Sequence, residues 1–275
     1  MSSAVTYDST ERRTALVSEF RDIWSRRGLL GLLVVRNLTI RYKRSLLGVW
    51  WTALNPLLTV AIMFLVFSRV FRLATPGQPY VVYLLSGVLL VSFFSQGVTQ
   101  CAFSIIGSSG VLKKLYVPPE LFSLSAGLAA AITFGISLIP LLIVQLVVGV
   151  GVPWTFMLTP IPIVFMVIFI TGIGLLVAAA AVYFYDIFEI ANVALQLIAY
   201  LTPTFYPASI VPVHLRWAVD INPLFSFLQV FRGLAYQQHI VSWHWYAGMG
   251  AYSLAALLVG TRLFRRSWKN LVVLL

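Results

Sequence analysis

The sequence predicts an all-α integral membrane protein, with an N-terminal amphipathic interface helix, six transmembrane helices and a re-entrant hairpin on the outer side between spans 5 and 6. Three observations lead to this class. Of the 275 residues, 60% are apolar and only 10% are charged, and the mean hydropathy is +0.93. These values exclude an ordinary soluble domain. Six segments are long enough to cross a bilayer, and the cations gather at their ends.

The first 46 residues are predicted to form a cytoplasmic tail followed by the interface helix. From Leu16 to Trp24 the apolar residues recur at helical spacing, and charged residues fall on the opposite face. We interpret this pattern as a helix lying in the membrane surface, continued along the interface by Leu29–Val35. A soluble helix packed on a partner protein shows the same pattern and stays an alternative. The residues expected to anchor the segment beside the headgroups are Trp24, Arg36, Arg41, Lys43 and Arg44.

Residues 47–275 form the predicted transmembrane domain, since a bilayer core of about 30 Å needs about 20 helical residues for each crossing. In the first span, Asn55-Pro56 is expected to kink or loosen the helix, because proline donates no backbone hydrogen bond. A membrane helix that tolerates its proline is the alternative. The predicted spans are Leu47–Phe71, Tyr80–Ile106, Leu121–Val150, Leu158–Tyr183, Ile190–Ala208 and Trp243–Leu263.

The distribution of cations predicts the orientation of these spans. Nine Lys and Arg residues precede Leu46, two stand at Lys113-Lys114, and four lie between Arg262 and Lys269. An even number of spans puts both termini on one side, and segments rich in Lys and Arg stay in the cytoplasm. Both termini are therefore expected inside. The outer connections hold Arg69, Arg72, Arg216 and Arg232.

Two connections are longer than simple turns. The cytoplasmic connection 107–120 has room for one short helix, stopped by Pro118-Pro119. The outer segment 209–242 contains the apolar run Leu224–Ala235, which is too short to span, so a re-entrant or interfacial hairpin is predicted. Arg232 within that run is expected to face water or a protein partner.

Several kinds of chemistry have no motif in this sequence. It contains no GxxxxGK[ST] phosphate loop and no HExxH, so we predict no nucleotide site, no metal site and no catalytic residues in the chain. Its single cysteine, Cys101, lies inside an apolar run and forms no disulfide within one chain. Outside the N-terminal tail, the carboxylates sit at span ends or in loops, which disfavours a proton-coupled carrier. The cations form no stripe on a soluble face, so no nucleic-acid partner is predicted.

Four sequence motifs of this chain, in the order given below, resemble motifs of one known family. They are RYKRSLLGVWWTALNPLL, KKLYVPPELF, LTPTFYPASIVP and INPLFSFLQVFRG. Together with the basic N-terminus and six spans, they resemble the membrane (permease) subunit of ABC exporters for polysaccharides and lipid-linked glycans of the O-antigen, teichoic acid or galactan type. The resemblance covers about Arg21 to Lys269.

The resemblance implies a homodimer in a bacterial plasma (inner) membrane, bound to two copies of a separate ATPase subunit that uses ATP and Mg. No cofactor is then expected in this chain, which is a transport subunit rather than an enzyme. It also implies that the helix near Gly110 docks on the ATPase, together with the N-terminal surface helix. The residues implied at that contact are Gly110, Lys113, Lys114 and Tyr116.

In the family, aromatic residues line the path of the sugar chain. Sugar rings have apolar faces that stack on aromatic rings, while hydroxyls are satisfied by water and polar side chains. The positions that this implies here are Trp50, Trp51, Tyr83, Phe93, Phe94, Phe205 and Tyr206.

Two other functions stay open from the sequence. An ABC-type permease for a drug or a simple lipid would share the span pattern. A membrane-embedded glycan transferase would need a carboxylate or histidine constellation, and the sequence offers none that we recognise. In each of these alternatives the chain is embedded in the membrane and surrounded by lipids.

Overall fold

The computed structural model describes residues 25–43, 45–70, 79–112, 117–181, 183–184 and 186–274, and all regular structure in these ranges is helical. The α-helices are α1 (Arg27–Tyr42), α2 (Trp51–Phe64), α3 (Tyr80–Ile106), α4 (Ser109–Leu112), α5 (Glu120–Val148), α6 (Pro160–Ala181), α7 (Ile187–Leu201), α8 (Arg216–Ile221), α9 (Pro223–Ala235) and α10 (Trp243–Leu274). A 3₁₀ turn (Gly48–Trp50) leads into α2, and a π-helical stretch (Leu65–Val70) continues it.

Five stretches in the described ranges are long and apolar enough to cross a membrane. A shorter apolar helix, Ile187–Leu201, accompanies them. The predicted class, an all-helical integral membrane protein, is confirmed. The five are Gly48–Ser68, Tyr80–Ile106, Glu120–Val148, Trp154–Ala181 and Trp243–Ser267.

The fifth predicted span, Ile190–Ala208, differs from its prediction. The helix α7 has only 15 residues and ends at Leu201, which is about 22 Å of helix against a core of about 30 Å. The reason is Pro203, which pushes the preceding residue away from helical dihedrals. Thr202 accordingly has an extended backbone, with φ −75° and ψ 131°. Residues 202–206 therefore continue the segment as non-helical backbone.

The helix α9 accounts for the apolar run in the segment 209–242, which is predicted to lie on the outer side. It begins after Asn222, whose side-chain oxygen accepts a hydrogen bond from the Leu224 amide at 3.0 Å. Large side chains such as Phe227 and Phe231 are fully buried, and the helix packs on α3, α6 and α10. Eleven of its thirteen residues are buried, polar and apolar ones alike, so α9 is a core helix of the bundle.

Arg232 in α9 corrects an expectation drawn from the sequence. The sequence suggested that it faces water or a protein partner, but its side chain is only 4% exposed. Its guanidinium donates hydrogen bonds to groups of its own chain, among them the carbonyls of Pro203 and Tyr83. A buried cation is tolerated when its donors are satisfied by close acceptors.

Among the helices of the described residues, α6 and α10 form the most extensive pair. They approach so closely that a Cβ atom added at Gly260 would lie 2.2 Å from the Gly172 carbonyl oxygen. One added at Gly172 would lie 2.4 Å from the Ala256 carbonyl carbon. Ser253, on the same face of α10, donates to the Phe165 carbonyl at 2.9 Å. Small residues at membrane helix contacts allow this backbone approach.

The N-terminal region is described from Ser25 onward, so the predicted surface helix from Leu16 to Trp24 lies outside the described residues. The helix α1 packs along α5: the Asn37 amide donates to the Ser125 hydroxyl at 3.1 Å, and the Tyr42 and Thr133 hydroxyls are 3.5 Å apart. These α5 residues are about two helical turns apart. The helix α1 therefore follows α5 rather than standing apart from the bundle.

Candidate functional site

A cleft of about 370 Å³ opens between α2, α3 and α5, with the end of α1 at its border. We call it the α2 cleft. Its walls carry hydroxyls, amides and aromatic rings together. The polar residues are Tyr42, Ser45, Thr52, Asn55, Thr59, Ser92, Gln96, Thr133 and Ser137, and the large apolar rings are Trp51, Phe93 and Phe134. Among the described residues that line this cleft, Arg41 alone is charged.

A second cleft, of about 500 Å³, lies between α3 and α7 and is called the α7 cleft. Every described residue that lines it is uncharged. The polar ones are Ser95, Gln96, Thr99, Gln100, Asn192, Gln196 and Tyr200, and Phe205 adds an aromatic ring. Gln96 lines both clefts, so the two are neighbours on either side of α3.

The helix α7 presents its polar residues to this cleft at helical spacing. Asn192, Gln196 and Tyr200 follow one another at intervals of four and therefore share one face. The Gln196 amide lies 3.3 Å from the Tyr200 hydroxyl and donates to it. These three residues are exposed in the single chain, so their hydrogen-bonding capacity is available to a ligand.

Arg41 orients the residue that the two clefts share. Its guanidinium donates to the Gln96 side-chain oxygen, and it stands 5.9 Å from the ring centroid of its neighbour Tyr42. With its oxygen engaged by Arg41, Gln96 keeps its amide hydrogens as donors for other groups.

Three of the predicted path residues line one of the two clefts, and a fourth, Tyr206, contacts a residue that does. Trp51 and Phe93 line the α2 cleft, and Phe205 lines the α7 cleft. Phe205 stacks on Phe67, with 5.9 Å between ring centroids. The half-buried Tyr206 donates from its hydroxyl to the Tyr200 carbonyl at 3.3 Å.

The remaining predicted path residues lie elsewhere in the single chain. Trp50 is 75% exposed, while Phe94 is 1% exposed and stacks on Phe169. Tyr83 is buried, and its hydroxyl donates to the carbonyls of Pro203 at 2.9 Å and Tyr206 at 2.7 Å. Phe94 and Tyr83 thus have packing roles here, and contact of any of these residues with a substrate stays a prediction.

The predicted coupling and anchoring residues are only partly described. Gly110 is exposed on the one-turn helix α4, whereas Lys113, Lys114 and Tyr116 lie outside the described residues. Trp24 and Arg44 lie outside them as well. Arg36, Arg41 and Lys43 are exposed. Their roles stay predictions.

The predicted helix break at Asn55-Pro56 lies inside α2, which stays α-helical on both sides of Pro56. The Thr59 hydroxyl donates to the Asn55 carbonyl at 2.9 Å, and both Asn55 and Pro56 line the α2 cleft. Bending of the helix at this point stays a prediction.

The polar stripe along α3 and α7 was not predicted from the sequence. The signal was nevertheless present, since Ser92, Gln96 and Thr99 on α3 repeat at intervals of four and three. Uncharged amides and hydroxyls beside aromatic rings can exchange hydrogen bonds with a hydroxylated ligand and stack on its apolar faces. Within the described residues, no group of three or more His, Cys, Asp or Glu residues is placed to hold a metal ion.

Comparison with known proteins identifies the family of the chain. The family model described as ABC-2 type transporter matches residues 28–236, well over half of the chain. The chain is similar to an O-antigen export system permease protein RfbA of Klebsiella pneumoniae, with 30% identity over 75% of this chain and 80% of that protein.

Two further relatives carry the same name. One from Klebsiella pneumoniae is 28% identical over 86% of this chain and 92% of its own length. One from Myxococcus xanthus is 27% identical over 89% of this chain and 94% of its own length. These matches confirm the resemblance to membrane subunits of polysaccharide ABC exporters, and the chain belongs to the ABC-2 type transporter family.

Proposed function

We propose that the chain is the transmembrane subunit of an ATP-driven ABC exporter that moves a lipid-linked polysaccharide from the cytoplasm across the bacterial inner membrane. The observation that carries the proposal is the lining of the two clefts. Amides, hydroxyls and aromatic rings line both clefts. Among the described lining residues, Arg41 alone is charged. The names of the relatives, O-antigen export permeases, point to the same cargo class.

Such a lining suits a long sugar polymer. The polymer must slide, so many weak hydrogen bonds and stacking contacts serve better than one deep pocket. The side chains of Asn192 and Gln196 offer both donors and acceptors to sugar hydroxyls, and Phe205 offers a ring to their apolar faces. A cargo of the O-antigen, teichoic acid or galactan type has this chemistry.

The energy for transport comes, in this proposal, from a separate subunit. The sequence has no phosphate loop of its own, so ATP and Mg are used by two ATP-binding cassette partners bound to a dimer of this chain. The connection 107–120, with Gly110 on its one-turn helix, is the element that docks on these partners. Both termini and this connection lie in the cytoplasm, and α9 with its flanking turns forms the re-entrant outer hairpin.

The function is tested by removing the chain from the bacterium that encodes it. We expect surface polysaccharide to disappear while lipid-linked glycan accumulates on the cytoplasmic side, because synthesis continues without export. Surface polysaccharide is measured on intact cells and the glycan after lysis. A strain carrying the gene on a plasmid serves as the control. Unchanged surface polysaccharide in the disrupted strain would exclude the proposed cargo.

The proposed orientation follows from the distribution of cations. A thiol reporter placed after Leu275 is expected to react only in permeabilised cells, and one inserted at Gln238, in the outer segment, is expected to react in intact cells. The reaction is measured with a membrane-impermeant maleimide. A reporter after Leu275 that reacts in intact cells would overturn the proposed topology.

A further inference from the structure

We propose that Arg232 is a positioning residue for transport: its buried guanidinium holds the non-helical turn at residues 202–206 in the shape that places Phe205 in the α7 cleft. The proposal rests on the proposed function, since the position of Phe205 affects transport only if the α7 cleft belongs to the path. The shape of the turn itself can be tested independently of any cargo.

The turn needs outside partners because it leaves the helix within the predicted fifth span, Ile190–Ala208. Non-helical backbone at membrane depth is stable only where its polar groups are satisfied by protein or water. Here four consecutive carbonyls, those of residues 203–206, accept hydrogen bonds from side chains. The donors are three residues from other elements, namely Tyr80 and Tyr83 of α3 and Arg232 of α9.

Arg232 contributes contacts in several directions at once. One terminal nitrogen donates to the Pro203 carbonyl at 2.9 Å, and the other donates to the carbonyls of Tyr83 at 3.0 Å and Thr204 at 3.4 Å. Nε donates to the Ser86 hydroxyl at 3.3 Å. The planar fork of the guanidinium therefore joins α9, α3 and the turn.

The charge of Arg232 is stabilised by dipoles and by a ring. The guanidinium carbon lies 3.6 Å from the ring centroid of Tyr83, a distance at which a desolvated cation–π contact is strong. Among the described residues, the guanidinium hydrogen-bonds to carbonyls and a hydroxyl and stacks on this ring, and none of these partners is a carboxylate. Three of its four hydrogen bonds go to backbone carbonyls, so binding backbone is its main contact in the described part of the chain.

Gly87 gives a second, independent observation, because the close packing of Arg232 and the turn on α3 depends on the missing side chain at this position. A Cβ atom at Gly87 would lie 2.8 Å from a terminal nitrogen of Arg232 and 2.8 Å from the Thr204 methyl carbon. Only glycine lets α3 come this close to both the guanidinium and the turn. The same arrangement buries Thr204, at 1% exposure.

The consequence for the path lies at Phe205. Its carbonyl accepts from the Tyr80 hydroxyl, while its ring stacks on Phe67 and borders the α7 cleft. If the bonds from Arg232 are lost, the carbonyls of Pro203 and Thr204 lose charge-assisted donors and the turn can open locally. The ring of Phe205 would then no longer hold one position in the cleft.

The test combines Phe205→Cys with Arg232→Met in the full-length chain, inserted in membranes with its partner ATPase. The native Cys101 is buried, so the introduced thiol is the accessible one. We expect a water-soluble maleimide to react with it about threefold faster in the Arg232→Met background, because the turn opens. In the native Phe205 background, Arg232→Met should lower polysaccharide export per inserted molecule by about tenfold.

Two more variants keep the test decisive if Arg232→Met inserts poorly. Tyr83→Phe keeps the ring under the guanidinium but removes the hydroxyl donor to Pro203 and Tyr206, so it should also speed maleimide labelling. Arg232→Lys keeps the charge but lacks the fork, so it should insert normally and export less than the native chain. Normal export by an inserted Arg232→Lys variant would contradict the proposal.

The matched control is Arg216→Met, which removes an exposed arginine from the same outer segment and should change neither labelling nor export. Unchanged labelling in both Arg232→Met and Tyr83→Phe would overturn the positioning role. Faster labelling in a chain whose native form exports no polysaccharide would support the role of Arg232 in shaping the turn and contradict the proposed function instead.

Discussion

Gly260→Val is expected to remove nearly all of the chain from the membrane. A Cβ atom at this position would lie 2.2 Å from the carbonyl oxygen and 2.9 Å from the carbonyl carbon of Gly172. Both are backbone atoms, so no side chain can turn aside, and α6 and α10 would have to separate along their most extensive contact. Overpacking of a tight core costs about 3 kcal/mol or more in such a case, a large part of the stability of most proteins.

The amount of inserted chain, measured by immunoblot of washed membranes, tests this expectation. The matched control is Gly135→Val in α5, because a Cβ atom at Gly135 would meet nothing within 4 Å. Gly135→Val should therefore insert at the native level. Equal amounts of the Gly260→Val and Gly135→Val variants would contradict the close approach of α6 and α10.

Replacing the polar face of α7 is expected to abolish most export while leaving the fold intact. In the double variant Asn192→Leu with Gln196→Leu, two exposed amides of the α7 cleft become apolar. Each lost hydrogen bond to a sugar weakens binding by about 1 kcal/mol, and the pair should therefore lower surface polysaccharide by about tenfold or more. Surface polysaccharide is measured on intact cells, normalised to inserted chain.

The control for this variant keeps the polarity of the helix unchanged. Val193→Leu with Leu197→Ile alters two exposed apolar residues of the same helix and should export at the native level. If the control and the amide variant export equally, the α7 cleft is not the path of the polymer.

The fold class and most span positions could be predicted from the sequence because they depend on local length and hydropathy alone. The span Tyr80–Ile106 was predicted with the bounds that α3 has, and the last span was predicted to begin at Trp243, where α10 begins. A continuous apolar run of this length has few alternatives to a membrane helix.

The end of α7 was missed because residues 202–208 carry no charge and were therefore counted with the apolar helix before them. Pro203 stops the helix at Leu201 instead. Pro203 is visible in the sequence, but whether the chain stays non-helical after it depends on residues far away in the sequence. Arg232 and Tyr83 supply the hydrogen bonds that make the non-helical turn stable.

The aromatic residues show why the path could be predicted only in part. In a soluble helix the polar face marks the side that meets water, so the opposite side is buried. In a membrane helix apolar residues occupy all faces, and this guide is lost. Phe93 and Phe94 are neighbours in sequence and equally apolar, yet Phe93 borders the α2 cleft and Phe94 packs against Phe169. The amides and hydroxyls of α3 and α7 are the more informative residues, because polar groups at membrane depth need partners.

The most direct measurement is uptake of labelled lipid-linked polysaccharide into inverted membrane vesicles that contain the chain and its partner ATPase. The cytoplasmic face of such vesicles is outside, so export appears as uptake. We predict uptake that requires both ATP and this chain, and that is lost with Asn192→Leu and Gln196→Leu while the partner still hydrolyses ATP. Equal uptake by vesicles that lack the chain, or full uptake by the amide variant, would contradict transport of the polymer along the α7 cleft.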